Sequence, residues 1–377
     1  MFKRAFGDRP NTLSNIFPNK TVGKNLIYLV STIIVFGLIM LFSASSIKAY
    51  NNFGDSYYFL KHQIFSLILG FVVYWFFSQI DYHKWKKYAF FMLIFSIALL
   101  CLVFIPGLSA EWGKAHSWIK IFSFSLQPSE FVKITFLLYL SAWLESRKNI
   151  IQSIGPFLVV LGIIAFLMVL QPDIGTLFII VLISLLVYFV GGGSIKHILF
   201  IILIGVLALI IIIHFKPYQA GRFKCLFDIN YSQKNICYQV NQSLIAVGSG
   251  GLIGRGLGAS RQKYLYLPEV SNDSIFAVIS EELGLIFSTI LIILYLLLFY
   301  HGVLIAKAAP DDFGKILAMG IIGWIIFQAL INIGGMINLI PMTGVPLPLI
   351  SYGGSAIVAI LGAIGILVNI SKQTIDS

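Results

Sequence analysis

Ten stretches of this chain are apolar over lengths that reach or approach what a bilayer crossing needs, and that excludes a soluble fold. They lie near residues 26–47, 59–79, 88–106, 131–144, 154–170, 174–190, 198–215, 275–300, 317–340 and 346–370. A helix crosses the hydrocarbon with roughly 20 residues. The run at 131–144 is short, and needs the preceding Gln127-Pro128-Ser129-Glu130 turn and Lys133 to complete it. Stretches that alternate apolar and polar residues are absent, so the backbone must satisfy itself within helices. Only 11% of the 377 residues are charged, against about 25% in soluble domains. The reading is an all-α polytopic integral membrane protein with about ten transmembrane helices. Residues 25–372 form a single membrane-embedded domain behind a basic tail, 1–24.

Basic residues set the orientation. Fourteen, from Lys3 to Lys372 and including Lys84, Lys86 and Lys87, fall in one set of segments, which belongs in the cytoplasm. The opposite short loops hold only Lys48, Lys61, Lys114, Lys120 and Lys133. Both termini are then cytoplasmic, in agreement with an even helix count. The first run lacks a cleavage site and reads as a retained helix.

The segment at about 216–274 departs from this rule. It is expected outside, between the seventh and eighth helices, yet carries seven cations, among them Lys216, Arg222, Lys224 and Lys263, against Asp228, Glu269 and Asp273. Long loops translocate regardless of charge; the alternative is a basic surface for an anionic substrate or lipid headgroups. Cys225 and Cys237 share this loop, either as a disulfide, which an oxidising compartment permits, or as two thiols. Cys101 reads as inert packing in a helix.

Four carboxylates mark the end of that loop: Glu269, Asp273, Glu281 and Glu282. The last two enter an apolar run, about 12 Å along a helix that starts near Asp273. A charge there costs about 2.5–3.5 kcal/mol even on gentle insertion scales, so pairing, water or function must offset it. Asn272-Asp273-Ser274 is also an ordinary N-cap signature, which would need no chemistry. In Gln127-Pro128-Ser129-Glu130-Phe131-Val132-Lys133, proline and acid suit a first helical turn; Lys133 does not, and needs Asp273 or Glu130 as a partner. Gln171-Pro172-Asp173-Ile174-Gly175-Thr176 is a turn or helix break, with Asp173 as a cap or a substrate contact. Pro341 to Ser355 reads as a rigid re-entrant turn whose Ser351, Tyr352 and Ser355 can face sugar hydroxyls. The glycine-rich 248–258 lacks the Lys-Ser/Thr and the preceding strand of a phosphate loop. Its glycines suit tight turns and close helix approach, or backbone contact with a phosphate. The histidines show no metal-ligand spacing.

In this order the motifs resemble the SEDS family (shape, elongation, division and sporulation) of cell-wall polymerases. The resemblance runs from Phe42-Ser43-Ala44-Ser45 to Ser351-Tyr352-Gly353-Gly354-Ser355. Its most specific pieces are Gln127 to Lys133, Gln171 to Thr176, Tyr238-Gln239 with Gln242-Ser243, and Pro341 to Ser355. Tyr266-Leu267-Pro268-Glu269 and Phe276 to Gly284 look more like the division branch than the elongation branch. Two departures stand out: His116-Ser117 precede Trp118 where arginines are usual, and Ser274 replaces a common aromatic.

The resemblance implies a peptidoglycan glycosyltransferase that joins lipid II, a disaccharide-pentapeptide on undecaprenyl diphosphate, into glycan at the outer face of the bacterial cytoplasmic membrane. It implies Asp273 as the catalytic acid–base group. Lys133, Arg222, Glu130, Glu269, Glu281, Gln239, Gln242, Ser243 and Ser351 are the expected substrate-binding set. It implies a class B penicillin-binding transpeptidase and other division proteins as partners, placement at the septum, no nucleic acid and no resident metal, with a divalent cation left open. An elongation-type polymerase, a flippase for the same lipid and a docking scaffold are the rival readings.

Overall fold

A computed structural model describes residues 19–105, 109–112, 115–121, 124–146, 154–228, 231, 236–264 and 266–373. The basic tail as far as residue 18, Lys114, Arg147, Lys148 and Lys234 lie outside the described residues. The helices are α1 (Asn19–Phe53), α2 (Tyr58–Gln79), α3 (Tyr82–Leu102), α4 (Pro128–Ser146), α5 (Gly155–Leu170), α6 (Ile174–Val190), α7 (Ile195–Phe215), α8 (Pro217–Phe227), α9 (Tyr238–Ser249), α10 (Ile275–Ala308), α11 (Asp312–Met336) and α12 (Gly354–Lys372). All but α8 and α9 follow the apolar runs. Seven are long and apolar enough to span a membrane by length and composition, and α5 and α6 are shorter apolar helices. Short α4 does begin at the Gln-Pro-Ser-Glu turn, with Pro128 at its first position. Cys101 is exposed at the end of α3 rather than packed.

The all-α polytopic expectation holds, with two local additions. The stretch at 216–274 contains two amphipathic helices. The link between α3 and α4 forms a small antiparallel sheet, β1 (Ser109–Trp112), β2 (Ala115–Ile121) and β3 (Phe124–Leu126), in that order. Ile119 of β2 is opposite Leu126 of β3. Open sheet edges are excluded only where lipid surrounds them, so a short link needs no extended alternating pattern.

Burial grades from the centre outward. In α11 and α12, 83% of the apolar window is buried, while α7 buries little beyond Ile198 and Ile201. The outer residues of α7, such as Leu203 and Ile210, are apolar and exposed, as a wall against lipid requires. One end of the bundle is pinned by polar bonds. Asp311 caps α11 by accepting from the Gly314 amide at 2.7 Å, and also accepts from the Tyr82 hydroxyl at 2.9 Å. Asn369 of α12 accepts from the Tyr82 amide at 3.0 Å.

The other end is organised by a break in α10. Gly284 has φ 75° and ψ −172°, so the helix is two helices meeting at a kink. Such a break orphans carbonyls on one side and amides on the other. The glycine-rich segment enters the gap and serves both. The amides of Arg255 and Gly256 donate to the carbonyls of Glu281 and Glu282 at 3.0 and 2.9 Å. The amides of Leu285 and Ile286 donate to the carbonyls of Gly251 and Leu252 at 2.9 and 3.2 Å. The Arg255 and Gly256 amides, which sequence alone allowed to meet a phosphate, are therefore engaged.

This contact demands glycine. A Cβ at Gly254, where φ is +80°, would sit 2.2 Å from the Glu282 carbonyl oxygen. Gly254→Ala is expected to destabilise the protein by at least about 2 kcal/mol through backbone strain and overpacking. Gly162→Ala, where a Cβ meets nothing within 4 Å, is the control and is expected to melt within about 1 kcal/mol of the parent. Thermal melting in detergent reads both. Equal melting of the two variants refutes the close approach.

Candidate active site

Asp273 ends the turn before α10, and its surroundings hold it from every side. Its side chain does not cap the helix: Ser274 occupies the N-cap position with no side-chain cap bond. The Asp273 carboxylate instead accepts from Gln239 Nε2 of α9, 3.2 Å from each oxygen, and the same amide donates to Ser274 Oγ at 3.0 Å. Three successive carbonyls of the turn are also tied. Ser271 O accepts from the Tyr352 amide at 2.8 Å, Asn272 O from Ser351 Oγ at 2.5 Å, and Asp273 O from Asn332 Nδ2 at 2.7 Å. Burial raises the Asp273 carboxyl from the ordinary carboxylate value to about 6, helped by the Glu269 charge and opposed by Arg222 and the Gln239 bond. A carboxylate poised there can take a proton near neutrality.

Arg222 reaches this site through the loop helices. Cys225 of α8 and Cys237, just before α9, form a disulfide with Cα atoms 5.5 Å apart. Cys225 follows Arg222 by three residues, and Cys237 precedes Gln239 by two. The bridge therefore sets the cation-bearing helix beside the helix that holds Asp273. Arg222, Gln239 and Met342 line a small cavity of about 20 Å³. The Arg222 guanidinium lies over the Tyr218 ring at 4.8 Å and donates to its hydroxyl at 2.8 Å.

Lys133 pairs with Glu130, one of its two sequence candidates, at 2.7 Å, and both side chains are essentially fully buried. Its ammonium also donates to Gln328 Oε1 at 2.9 Å and lies 4.7 Å from the Trp324 ring centre. Asp173 is the cap that the sequence allowed: it accepts from the Thr176 amide at 3.2 Å. Its other oxygen accepts from Ser129 Oγ at 3.1 Å, which joins the two Gln-Pro motifs.

Other expected binding residues are committed elsewhere. Glu281 accepts from Ser260 Oγ at 2.6 Å and from the Arg261 amide at 3.0 Å, so it holds the glycine-rich turn and is 1% exposed. Glu282 accepts from Ser43 Oγ, 2.6 Å at the nearer oxygen, and from Lys263 Nζ at 2.8 Å. Ser243 donates to the Gln239 carbonyl at 2.8 Å, and Gln242 is half-buried on the same helix. Glu269, with φ 49°, is half-exposed and pairs with Lys48 at 3.6 Å. Among the described residues, no group of three or more His, Cys, Asp or Glu is placed to hold a metal ion.

The sequence reading missed Gln328 and Asn332. Gln328 accepts from Lys133 and donates to the Pro346 carbonyl at 2.9 Å; Asn332, one turn later, donates to the carbonyls of Asp273 and Val345 at 2.7 and 2.8 Å. The signal was two carboxamides four residues apart in an apolar run, which share a helix face.

Comparison with known proteins is consistent over nearly the whole chain. The family model for cell cycle proteins of the FtsW, RodA and SpoVE type matches residues 24–375. Stage V sporulation protein E of Bacillus subtilis (strain 168) is 40% identical over 353 residues, covering 93% of this chain and 96% of its own length. A probable peptidoglycan glycosyltransferase FtsW of the same organism is 38% identical over 370 residues, covering 93% and 91%. Among solved structures, a chain of a peptidoglycan synthase complex that coordinates polymerization and crosslinking superposes with a TM-score of 0.76 at 25% identity, over 93% of this chain and 97% of that one.

Two outcomes follow from this geometry. Removing one member of a buried pair leaves an uncompensated charge, so Lys133→Met is expected to destabilise by about 3–5 kcal/mol. Lys133→Met with Glu130→Gln is expected to recover at least half of that loss. Denaturation of the single and double variants decides; a single variant as stable as the parent shows that the pair holds nothing. For the disulfide, mass spectrometry without reduction should find one cross-linked peptide joining Cys225 and Cys237. The chain-entropy model puts its stabilisation at about 3 kcal/mol, so a reductant should lower the melting temperature. Two freely alkylated thiols refute the bridge.

Proposed function

This chain belongs to the FtsW, RodA and SpoVE family of cell cycle proteins, and from that premise we propose that it is a peptidoglycan glycosyltransferase that polymerises lipid II at the outer face of the cytoplasmic membrane. The observation that carries the reading is Asp273. It is a nearly buried carboxyl, poised at about 6, held by Gln239 and facing the Arg222 side of the loop. A base that loses its proton just below the working pH is present in the right form and still basic enough to act.

The reaction follows from these groups. The acceptor sugar hydroxyl gives its proton to the Asp273 carboxylate as its oxygen attacks the anomeric carbon of the donor. The bond from that carbon to undecaprenyl diphosphate breaks, and the diphosphate leaves with the electron pair. Arg222 faces the developing negative charge as a preset cation. The activated bond supplies the energy, so no nucleotide is needed. Lys133, expected in the substrate-binding set, has a supporting role in this reading: enclosed by Glu130, Gln328 and Trp324, it stiffens the frame on which Asp273 rests.

The charge bias of the loops supports cytoplasmic termini and an outward Asp273. A class B penicillin-binding transpeptidase is the proposed partner; the superposable chain from a complex that joins polymerization to crosslinking supports it. Septal synthesis is the proposed setting, supported by likeness to FtsW at 38% identity, beside the sporulation relative at 40%.

Asp273→Asn tests the assignment. The amide can accept hydrogen bonds but cannot take the proton. Purified variant with lipid II in detergent is expected to lose polymerisation by about 10²-fold or more, while Glu269→Gln loses less. Polymerisation by the parent is expected to fall as pH drops through about 6, because the base becomes protonated. The stability sign is opposite. A carboxyl whose folded pKa lies above its unfolded value stabilises the fold below the unfolded pKa, and that contribution is lost as pH rises through about 6. Asp273→Asn is therefore expected to melt no lower than the parent at pH 7. Normal glycan synthesis by Asp273→Asn refutes the base, and a parent that moves lipid II across vesicles without polymerising it supports the flippase instead.

A further inference from the structure

A groove of about 610 Å³ opens on the outside of the bundle between α1, α2 and the turn at 257–264 that ends the glycine-rich segment. The reaction as described does not use it. Its walls are mainly apolar, with Ile39 and Phe42 from α1, Leu60 and Ile64 from α2 and Leu257 from the turn. Ile39 and Ile64 are 50% and 42% exposed, so the walls are open to lipid. Polarity enters partway along, at Ser43, Ser46 and Lys263. The α1 wall begins at Leu38, and Lys48 lies ten residues on, about 15 Å along the helix.

One end of the α1 wall lies next to the Lys48–Glu269 pair. Ile47 is the last α1 residue in the groove, and Lys48 follows it to pair with Glu269 at 3.6 Å. The Glu269 carbonyl accepts from the amide of Ser274, the neighbour of Asp273. Exposed Arg261 lies two residues before Lys263. A groove of this shape suits one long apolar chain whose charged head lies at the end near Lys48 and Glu269.

We infer that this groove holds the polyprenyl chain of a lipid-linked diphosphate and presents its head to Asp273. The inference rests on the polymerase reading and deepens it. Joining a new unit to a growing strand requires two lipid-linked partners at once, and so two places for a chain. The groove is one of them. A bilayer phospholipid is the competing occupant, but its two chains do not match the single trough.

The test uses full-length protein in phosphatidylglycerol nanodiscs with undecaprenyl diphosphate as probe. Ile39 is replaced by photoreactive p-benzoylphenylalanine, and Phe91 of α3, 68% exposed, is replaced likewise as a lipid-facing control. Position 39 is expected to yield a saturable polyprenyl adduct about 10-fold above position 91. Equal yields at the two positions, or phospholipid adducts at 39 that the probe does not displace, overturn the groove. A second variant, Ser46→Trp, narrows the trough away from Asp273. It is expected to raise KM for lipid II about 10-fold with kcat nearly unchanged; a folded variant with the parental KM overturns the proposal. A parent that polymerises lipid II, with no polyprenyl adduct in the position-39 variant, sinks the groove alone. An adduct at 39 in protein that makes no glycan sinks the polymerase reading and leaves the chain site standing.

Discussion

The backbone of α10 breaks at Gly284, and the hydrogen bonds lost there have to be replaced. Gly284 is buried, and an unpaired amide or carbonyl shut away from water costs several kcal/mol. The glycine-rich segment replaces them in both directions, with Arg255 and Gly256 serving one half-helix and Gly251 and Leu252 serving the other. Once inserted, this segment sets the path of everything up to Asp273. Glu281 then holds the turn at Ser260, and Glu282 holds Lys263. Two carboxylates that look costly in a membrane helix are the means by which the broken helix grips the loop beside it.

The same economy governs the other buried charges. Lys133 and Glu130 are one pair, Lys263 and Glu282 another, and each has neutral hydrogen-bond partners around it. Pairs of this kind are poor sources of net stability, but they penalise any arrangement that separates them. Here the pairs lock the beginning of α4 to α11, and the turn at 260–263 to α1 and α10. Asp273 lies between these two locked regions, and among the described residues no cation pairs with its carboxylate. Its neighbours are an amide, a second carboxylate and the more distant Arg222. That contrast separates charges that build the frame from the charge that is free to change.

One face of α11 links the parts. Gln328 touches Lys133 and the Pro346 carbonyl, and Asn332 touches the carbonyls of Asp273 and Val345. The proline-rich 341–349 segment is thereby held to the helix that also holds the turn carrying Asp273. Ser351 and Tyr352 complete the hold on the neighbouring carbonyls. They support Asp273 through its backbone, a role the hydroxyl-rich motif did not suggest when read as a sugar-contacting surface.

Much was legible in the order of residues alone. Apolar length is a local property, so the spanning helices followed from it, as did the need for glycine at 248–258 and the cap at Asp173. The motif order singled out Asp273, Arg222 and Gln239, and the structure brings the three near one another. What sequence left open was every choice between partners distant along the chain. It offered Lys133 two carboxylates, Asp273 a capping role as well as a chemical one, and the cysteines two states. It read Glu281 as a substrate contact, and it contained no sign that Lys263 would answer Glu282 or that α11 would carry Asn332 to Asp273. Hydrophobicity is read one residue at a time, whereas a hydrogen bond or ion pair exists only where two residues meet. Those meetings were decided by how the broken helix, the loop helices and α11 pack together.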